Sequence, residues 1–149
     1  MFKHSIRILS SMGLVAALCG YASSSAAANL PAVQHAEAGT FMTGGIGLDE
    51  STAMKGEMKH WPLAMQFAER EGKRAEYVSD VRVAVTDPKG HTTMKAVSQG
   101  PFLFADVRPG TYKVAATLDN KTMRQTVEVK KGVPVKLSFV WPAGTGTVH

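Results

Sequence analysis

From residue 62 onward the chain alternates apolar and polar residues with a period of two, and no other feature limits its fold as much. Leu63, Met65 and Phe67 are interleaved with Ala64, Gln66 and Ala68, and Val81, Val83 and Val85 with Arg82, Ala84 and Thr86. Tyr112, Val114, Ala116 and Leu118 alternate with Lys113, Ala115 and Thr117; Met123, Gln125, Val127 and Val129 alternate with Arg124, Thr126, Glu128 and Lys130. The last run sets Val133, Val135, Leu137, Phe139 and Trp141 against Pro134, Lys136, Ser138 and Val140. Successive side chains of a strand point to opposite faces, so the pattern predicts half-buried antiparallel strands with one wet face. Shorter strands are predicted at residues 92–97 and 102–105. Turn-forming clusters separate them: Glu71-Gly72-Lys73, Asp87-Pro88-Lys89-Gly90, Gln99-Gly100-Pro101, Arg108-Pro109-Gly110, Asp119-Asn120 and Lys131-Gly132. Seven short strands punctuated in this way predict a mainly β fold, a seven-stranded antiparallel Ig-like β-sandwich over residues 62–141.

Ahead of the alternation the period changes. Residues 29–40 hold proline and small residues without a sustained repeat and are expected to be a flexible lead-in. Phe41-Met42-Thr43-Gly44-Gly45-Ile46-Gly47 then places three glycines in four residues, a mark of backbone that turns sharply or approaches a neighbour closely. Asp49 and Glu50 open a segment in which Met54, Met58 and Trp61 recur at helical spacing. The acids fall in its first turn and Lys55 and Lys59 follow later, which suits the helix dipole, and Pro62 ends it. Residues 41–61 are therefore read as a glycine loop and one short helix, and residues 142–149 as a flexible tail.

The first 28 residues are read as a cleavable signal peptide. Lys3 and Arg7 supply a positive start, residues 8–20 are an uncharged and mostly apolar run of 13, and Ala26-Ala27-Ala28 offers a small-residue cleavage site. The apolar run falls short of the roughly 20 residues needed to span a bilayer, and no later segment comes near that length. The expected destination is the periplasm. Cys19 is preceded by Leu18, with Ala16 three positions back, the reverse of the order a lipid-attachment signal uses, so lipoprotein anchoring is not expected. Cleavage after Ala28 leaves 121 of the 149 residues and no cysteine, and the formal charge of +5 falls to +3 because Lys3 and Arg7 leave. That balance, with no run of cations longer than Lys130-Lys131, lacks the clustered basic footprint of a nucleic-acid binder. Without disulfides the domain must be held by its core, which about 120 residues can supply.

The stretch Gly100-Pro101-Phe102-Leu103-Phe104-Ala105-Asp106-Val107-Arg108-Pro109-Gly110-Thr111-Tyr112-Lys113-Val114-Ala115-Ala116 resembles the signature of carboxypeptidase-regulatory-like domains. The resemblance covers about residues 62–141 and implies a transthyretin-like (prealbumin-like) seven-stranded sandwich. The turn has a physical basis: Pro109 presets one dihedral, Gly110 is expected to take the positive φ, and Tyr112 packs a ring inward at the strand's start. Thr43-Gly44-Gly45-Ile46-Gly47-Leu48-Asp49-Glu50 with the helix after it looks like the leading part of small periplasmic proteobacterial proteins of this class. The resemblance implies a non-catalytic accessory or binding module, since the regulatory-like domain lacks the zinc site of the peptidases it is named after.

The search for chemistry agrees with that implication. No H-E-x-x-H is present, and Ala38, Leu63 and Met94 stand three residues after His35, His60 and His91, where a ligating or catalytic acid would be needed. No G-x-S-x-G surrounds Ser51, Ser79, Ser98 or Ser138, and Glu50 stands where a dinucleotide fingerprint needs glycine. No catalytic residue, resident cofactor or metal site is predicted. Four histidines and six methionines after the leader, with Met54, Met58 and His60 close together, suit copper chemically, but Met54, Met58, Met65 and Met123 lie in inward registers where methionine fills cores. Trp61 and Trp141 as a sugar-stacking pair are likewise outweighed by packing. The candidate interaction site is Gly44, Gly45, Gly47, Asp49 and Glu50, where backbone N–H groups at a helix start, or the two acids, could meet a partner. The competing reading is structural, with the glycines admitting the chain to the sandwich. The expected function is a non-catalytic periplasmic module engaging a protein or envelope partner through this loop or an exposed strand edge. The alternative is a small-ligand domain for carbohydrate or a metal such as copper.

Overall fold

The computed structural model describes residues 29–37 and 39–146. The expected leader, with Cys19 and the expected cleavage site, lies outside the described residues, as does the end of the expected tail. In chain order the elements are β1 (Gln34–Ala36), β2 (Gly39–Gly44), α1 (Leu48–Glu57), a 3-10 turn (Met58–His60), β3 (Leu63–Glu71), β4 (Arg74–Tyr77), β5 (Arg82–Thr86), β6 (Thr92–Val97), β7 (Phe102–Asp106), β8 (Gly110–Leu118), β9 (Lys121–Val129) and β10 (Val135–Trp141). They form two sheets, one ordered β1-β2-β7-β3-β10 with β4 also paired to β3, the other ordered β6-β5-β8-β9. The described residues form a mainly β sandwich with one short α-helix.

Between the sheets lies the main core, where the inward registers of the alternating strands meet. Leu63, Met65, Phe67, Val85, Val114 and Phe139 are all fully buried there. Each such side chain contributes about 1.5–3 kcal/mol on leaving water. Trp141 joins Phe67 and Phe139 in a ring cluster with centroids 6.0–6.3 Å apart, and its indole Nε1 donates to the Lys121 carbonyl at 3.0 Å. A buried tryptophan satisfied in this way is a core residue and presents no face to a sugar.

Several expectations are corrected. Among the described residues the strands number ten, not seven, and the larger sheet is mixed, because β10 runs parallel to β3 from Val135 beside Leu63 to Trp141 beside Glu69. Alternation reports which face a residue takes and carries no information on a strand's neighbour or direction. Here the Lys130–Val133 bridge, with Gly132 at φ 74, reverses the chain after β9, and β10 then enters the other sheet at the end where β3 begins. Residues 29–40, expected to be flexible, contribute the edge strand β1 and the start of β2, so the sandwich begins well before residue 62. Residues 41–44, expected as part of the glycine loop, pair along β7. The tail is pinned at residues 145 and 146, whose backbone N–H groups donate to the Glu69 carboxylate at 2.7–3.2 Å.

The face of β3 expected to be wet is dry at Ala64. Ala64, Phe102, Phe104 and Met42 point away from the main core and are buried against Met54 of α1, with Leu30, Met58 and Trp61 packed around them. The helix is thus a third layer over the larger sheet, and the spacing of Met54, Met58 and Trp61 is what places all three on it. Most of α1 is polar, so its position depends on this docking more than on its own helical preference.

Candidate functional site

Strand registers define two ends of the sandwich. At one, the glycine end, β2 finishes and β7 begins; at the other, the cleft end, β7, β9 and the β1–β2 turn deliver their connections.

The residues expected to form an interaction loop stand at the glycine end. Gly44 closes β2 and is buried, and Gly45 is buried at φ 103. A Cβ on Gly45 would overlap the Phe102 ring, and one on Gly100 would overlap the backbone of Gly44, so these glycines permit close chain approach. The Gly45 N–H donates to Glu50 Oε1 at 2.7 Å. Thr43 Oγ1, almost fully buried, donates to the Phe102 carbonyl at 2.8 Å and accepts from the Gln99 N–H at 3.0 Å. Ser98 Oγ accepts from the Val81 N–H at 3.0 Å. Glu50 is therefore committed to its own loop, Gly47 and Asp49 are exposed, and of the five candidates Gly47, Asp49 and Glu50 line one shallow cavity while Gly44 and Gly45 stand outside it. Beside them Ile46 and Leu48 are 66% and 80% exposed. The loop's geometry favours the structural reading.

At the cleft end a cavity of about 980 Å³ opens between connections from both sheets. Its floor is apolar: Val107, Tyr112 and Val129 are buried, and Trp61 and Pro62 half-buried. Val133 stands on the rim 54% exposed. Lys59 comes from the 3-10 turn, Arg108 from the β7–β8 connection, and Lys130 and Lys131 from the β9–β10 turn. Glu37 and Asp106 are the acids of the lining, leaving two cations in excess. None of the four cations forms an ion pair among the described residues, whereas His91 pairs with Asp87 at 3.4 Å.

Arg108-Pro109-Gly110 and Tyr112 shape this cleft. The Tyr112 hydroxyl donates to the Arg108 carbonyl at 2.6 Å, a tyrosine corner that ties the start of β8 to the connection before it. Burial raises the Tyr112 hydroxyl above the ordinary phenol range, with the Asp87 charge acting the same way. Gly110 has the positive φ expected of it, 158°, as the first residue of β8 paired with Val129, and a Cβ there would meet the Tyr112 ring at 3.7 Å, an ordinary contact. Nearby, Asp87 Oδ1 accepts the His91 and Lys89 N–H groups at 2.9 Å, and the His91 bond leads in holding its carboxyl below the usual range.

No group of three or more histidine, cysteine, aspartate or glutamate side chains among the described residues is arranged to hold a metal. Met54 and Met65 are fully buried in separate clusters, away from any shared site with His60, which is exposed. Lys130-Lys131 stands out in the sequence only as a short cationic pair at a turn. The cleft's other cations lie far apart in the chain, and only the fold brings them together. No helix among the described residues is long and apolar enough to cross a membrane.

No protein-family model matches the chain, and no curated protein matches it. Among solved structures, a similar chain is a variant of BcpA, the major pilin subunit of Bacillus cereus, at 10% identity and a TM-score of 0.37. The match covers 52% of this chain and 29% of the pilin.

Proposed function

We propose that this chain is an exported, non-catalytic module of the periplasm that holds a protein or cell-envelope partner in the cleft at the end of its β-sandwich. The observation that carries the reading is the make-up of the cleft: a concave surface with an apolar floor, ringed by cations that form no ion pair among the described residues. Concave, mostly apolar surfaces with a few convergent polar groups are where proteins hold their ligands.

A non-catalytic role is supported by the state of the cleft's hydroxyls. Thr93 Oγ1 donates to the Val85 carbonyl at 3.0 Å and Tyr112 to the Arg108 carbonyl, so neither is presented to His60 as a nucleophile to its base. The resemblance to carboxypeptidase-regulatory-like domains favours the same reading, and the leader supports export. The test begins with osmotic-shock fractionation and N-terminal sequencing, which should find a periplasmic chain starting at Asn29. A cleavable crosslinker in intact cells should then give an envelope adduct that disappears when Arg108→Glu, Lys130→Glu and Lys131→Glu are combined. An adduct indifferent to those reversals, or a chain retained in the cytoplasm with its leader, would overturn the proposal.

A further inference from the structure

We infer that the occupant of the end cleft is an acidic polypeptide segment with apolar side chains between its carboxylates; this deepens the binding reading above and rests on it. Three observations converge. The first is charge: Lys59, Arg108, Lys130 and Lys131 face Glu37 and Asp106, and none of the four is neutralised by an ion pair among the described residues. Cations gathered around one concavity repel one another and raise the local concentration of anions, so an occupant with at least two negative charges is complementary.

The second is the floor. Half-buried Trp61 and Pro62 and exposed Val133 put apolar surface between the cations, over the buried Val107, Tyr112 and Val129, so a lone phosphate or carboxylate would leave part of the lining uncovered. An occupant therefore carries apolar groups between its charges. A polypeptide does this naturally, since neighbouring extended residues can send carboxylates to the rim and aliphatic groups to the floor.

The third is the scarcity of neutral hydrogen-bonding side chains, which in the lining are limited to exposed His60, half-buried Trp61 and two hydroxyls. Both hydroxyls of the lining, on Thr93 and Tyr112, already donate to backbone carbonyls. A sugar needs many matched donors and acceptors, and hydroxyls left unmatched on binding lose affinity. A single-stranded nucleic acid would use several exposed aromatic platforms beside its cations. Here Tyr112 is buried and Trp61 is half-buried against Phe104, with ring centroids 6.3 Å apart.

The test is fluorescence anisotropy on the exported protein with a labelled decapeptide alternating glutamate and valine, its glutamine-valine counterpart, an all-glutamate decapeptide and an oligogalacturonate. The glutamate-valine peptide should bind at least about tenfold more tightly than each of the other three. Its affinity should fall about tenfold or more between roughly 50 and 300 mM salt. Arg108→Glu with Lys131→Glu, and separately Lys59→Glu, should each weaken it by about tenfold or more at unchanged Tm. Equal binding of the glutamine peptide, stronger binding of the oligogalacturonate, or affinity indifferent to the reversals would overturn the inference. If no acidic peptide binds while the charge-dependent envelope adduct persists, the ligand class is wrong and the cleft's role stands. Loss of both defeats both.

Discussion

At the glycine end, Thr43, Glu50 and Ser98 commit their polar atoms to the protein's own backbone; at the cleft end, Lys59, Arg108, Lys130 and Lys131 form no ion pair among the described residues. Both ends carry loops with conspicuous residues, and the sequence draws more notice to the first. The difference lies in what surrounds those residues. A buried polar group must be satisfied at a cost of about 1–3 kcal/mol if it is not, so a packed glycine loop with matched hydrogen bonds is explained by folding alone. Exposed cations around an apolar floor contribute almost nothing to folding and are left available for binding. Substitutions should separate the two ends accordingly, one losing stability and the other losing affinity.

The largest effect is expected at Gly100. A Cβ there meets the Gly44 carbonyl, a backbone group that cannot swing aside, so Gly100→Ala should cost about 3 kcal/mol in urea denaturation. A cost below about 1 kcal/mol would show that the glycine end is less tightly packed than the contact implies. Next comes Glu50→Ala, which leaves the Gly45 N–H without its acceptor and should cost about 1.5 kcal/mol while peptide affinity stays unchanged. Weakened binding in that variant at equal stability would restore the loop as the interaction site.

Tyr112 sharpens the comparison, because it belongs to the cleft end yet is committed to the fold. Tyr112→Phe removes only the bond to the Arg108 carbonyl and should cost about 1 kcal/mol near neutral pH. Since the folded hydroxyl titrates above its unfolded value, its stabilisation is complete below about pH 10 and is lost as pH rises through the folded value. The wild-type protein should therefore lose more stability than the phenylalanine variant in alkaline denaturation series. Parallel curves for the two proteins would contradict the assigned role. The smallest stability effect is expected for Arg108→Glu combined with Lys131→Glu, within about 0.5 kcal/mol of wild type, since both side chains are exposed and unpaired among the described residues.

Much of the fold is legible in the chain because period-two alternation reports burial directly. The inward registers of β5, β8 and β10 are read correctly at Val83, Val85, Val114, Ala116, Phe139 and Trp141. What alternation omits is partnership. Nothing in the composition of residues 34–36 announces an edge strand, because a three-residue strand is stabilised by its neighbour and not by its own pattern. β4 is missed for the same reason, its four residues all exposed. The dryness of Ala64 depends on the docking of α1, the helix just ahead of β3, and Phe102 and Phe104, both apolar and two apart, are the available clue. The cleft was less legible still. Its cations sit singly or in a pair on three connections, a spacing that carries no local signal until the sandwich closes.

The most direct test of the contrast between the ends places a photo-reactive residue at Val133 in one strain and at Asp49 in another, and compares adducts in the intact envelope. Both positions are exposed, one on the rim of the cleft and the other at the start of α1. The account predicts a discrete adduct from position 133 and none from position 49. An adduct from position 49 with none from position 133 would contradict it.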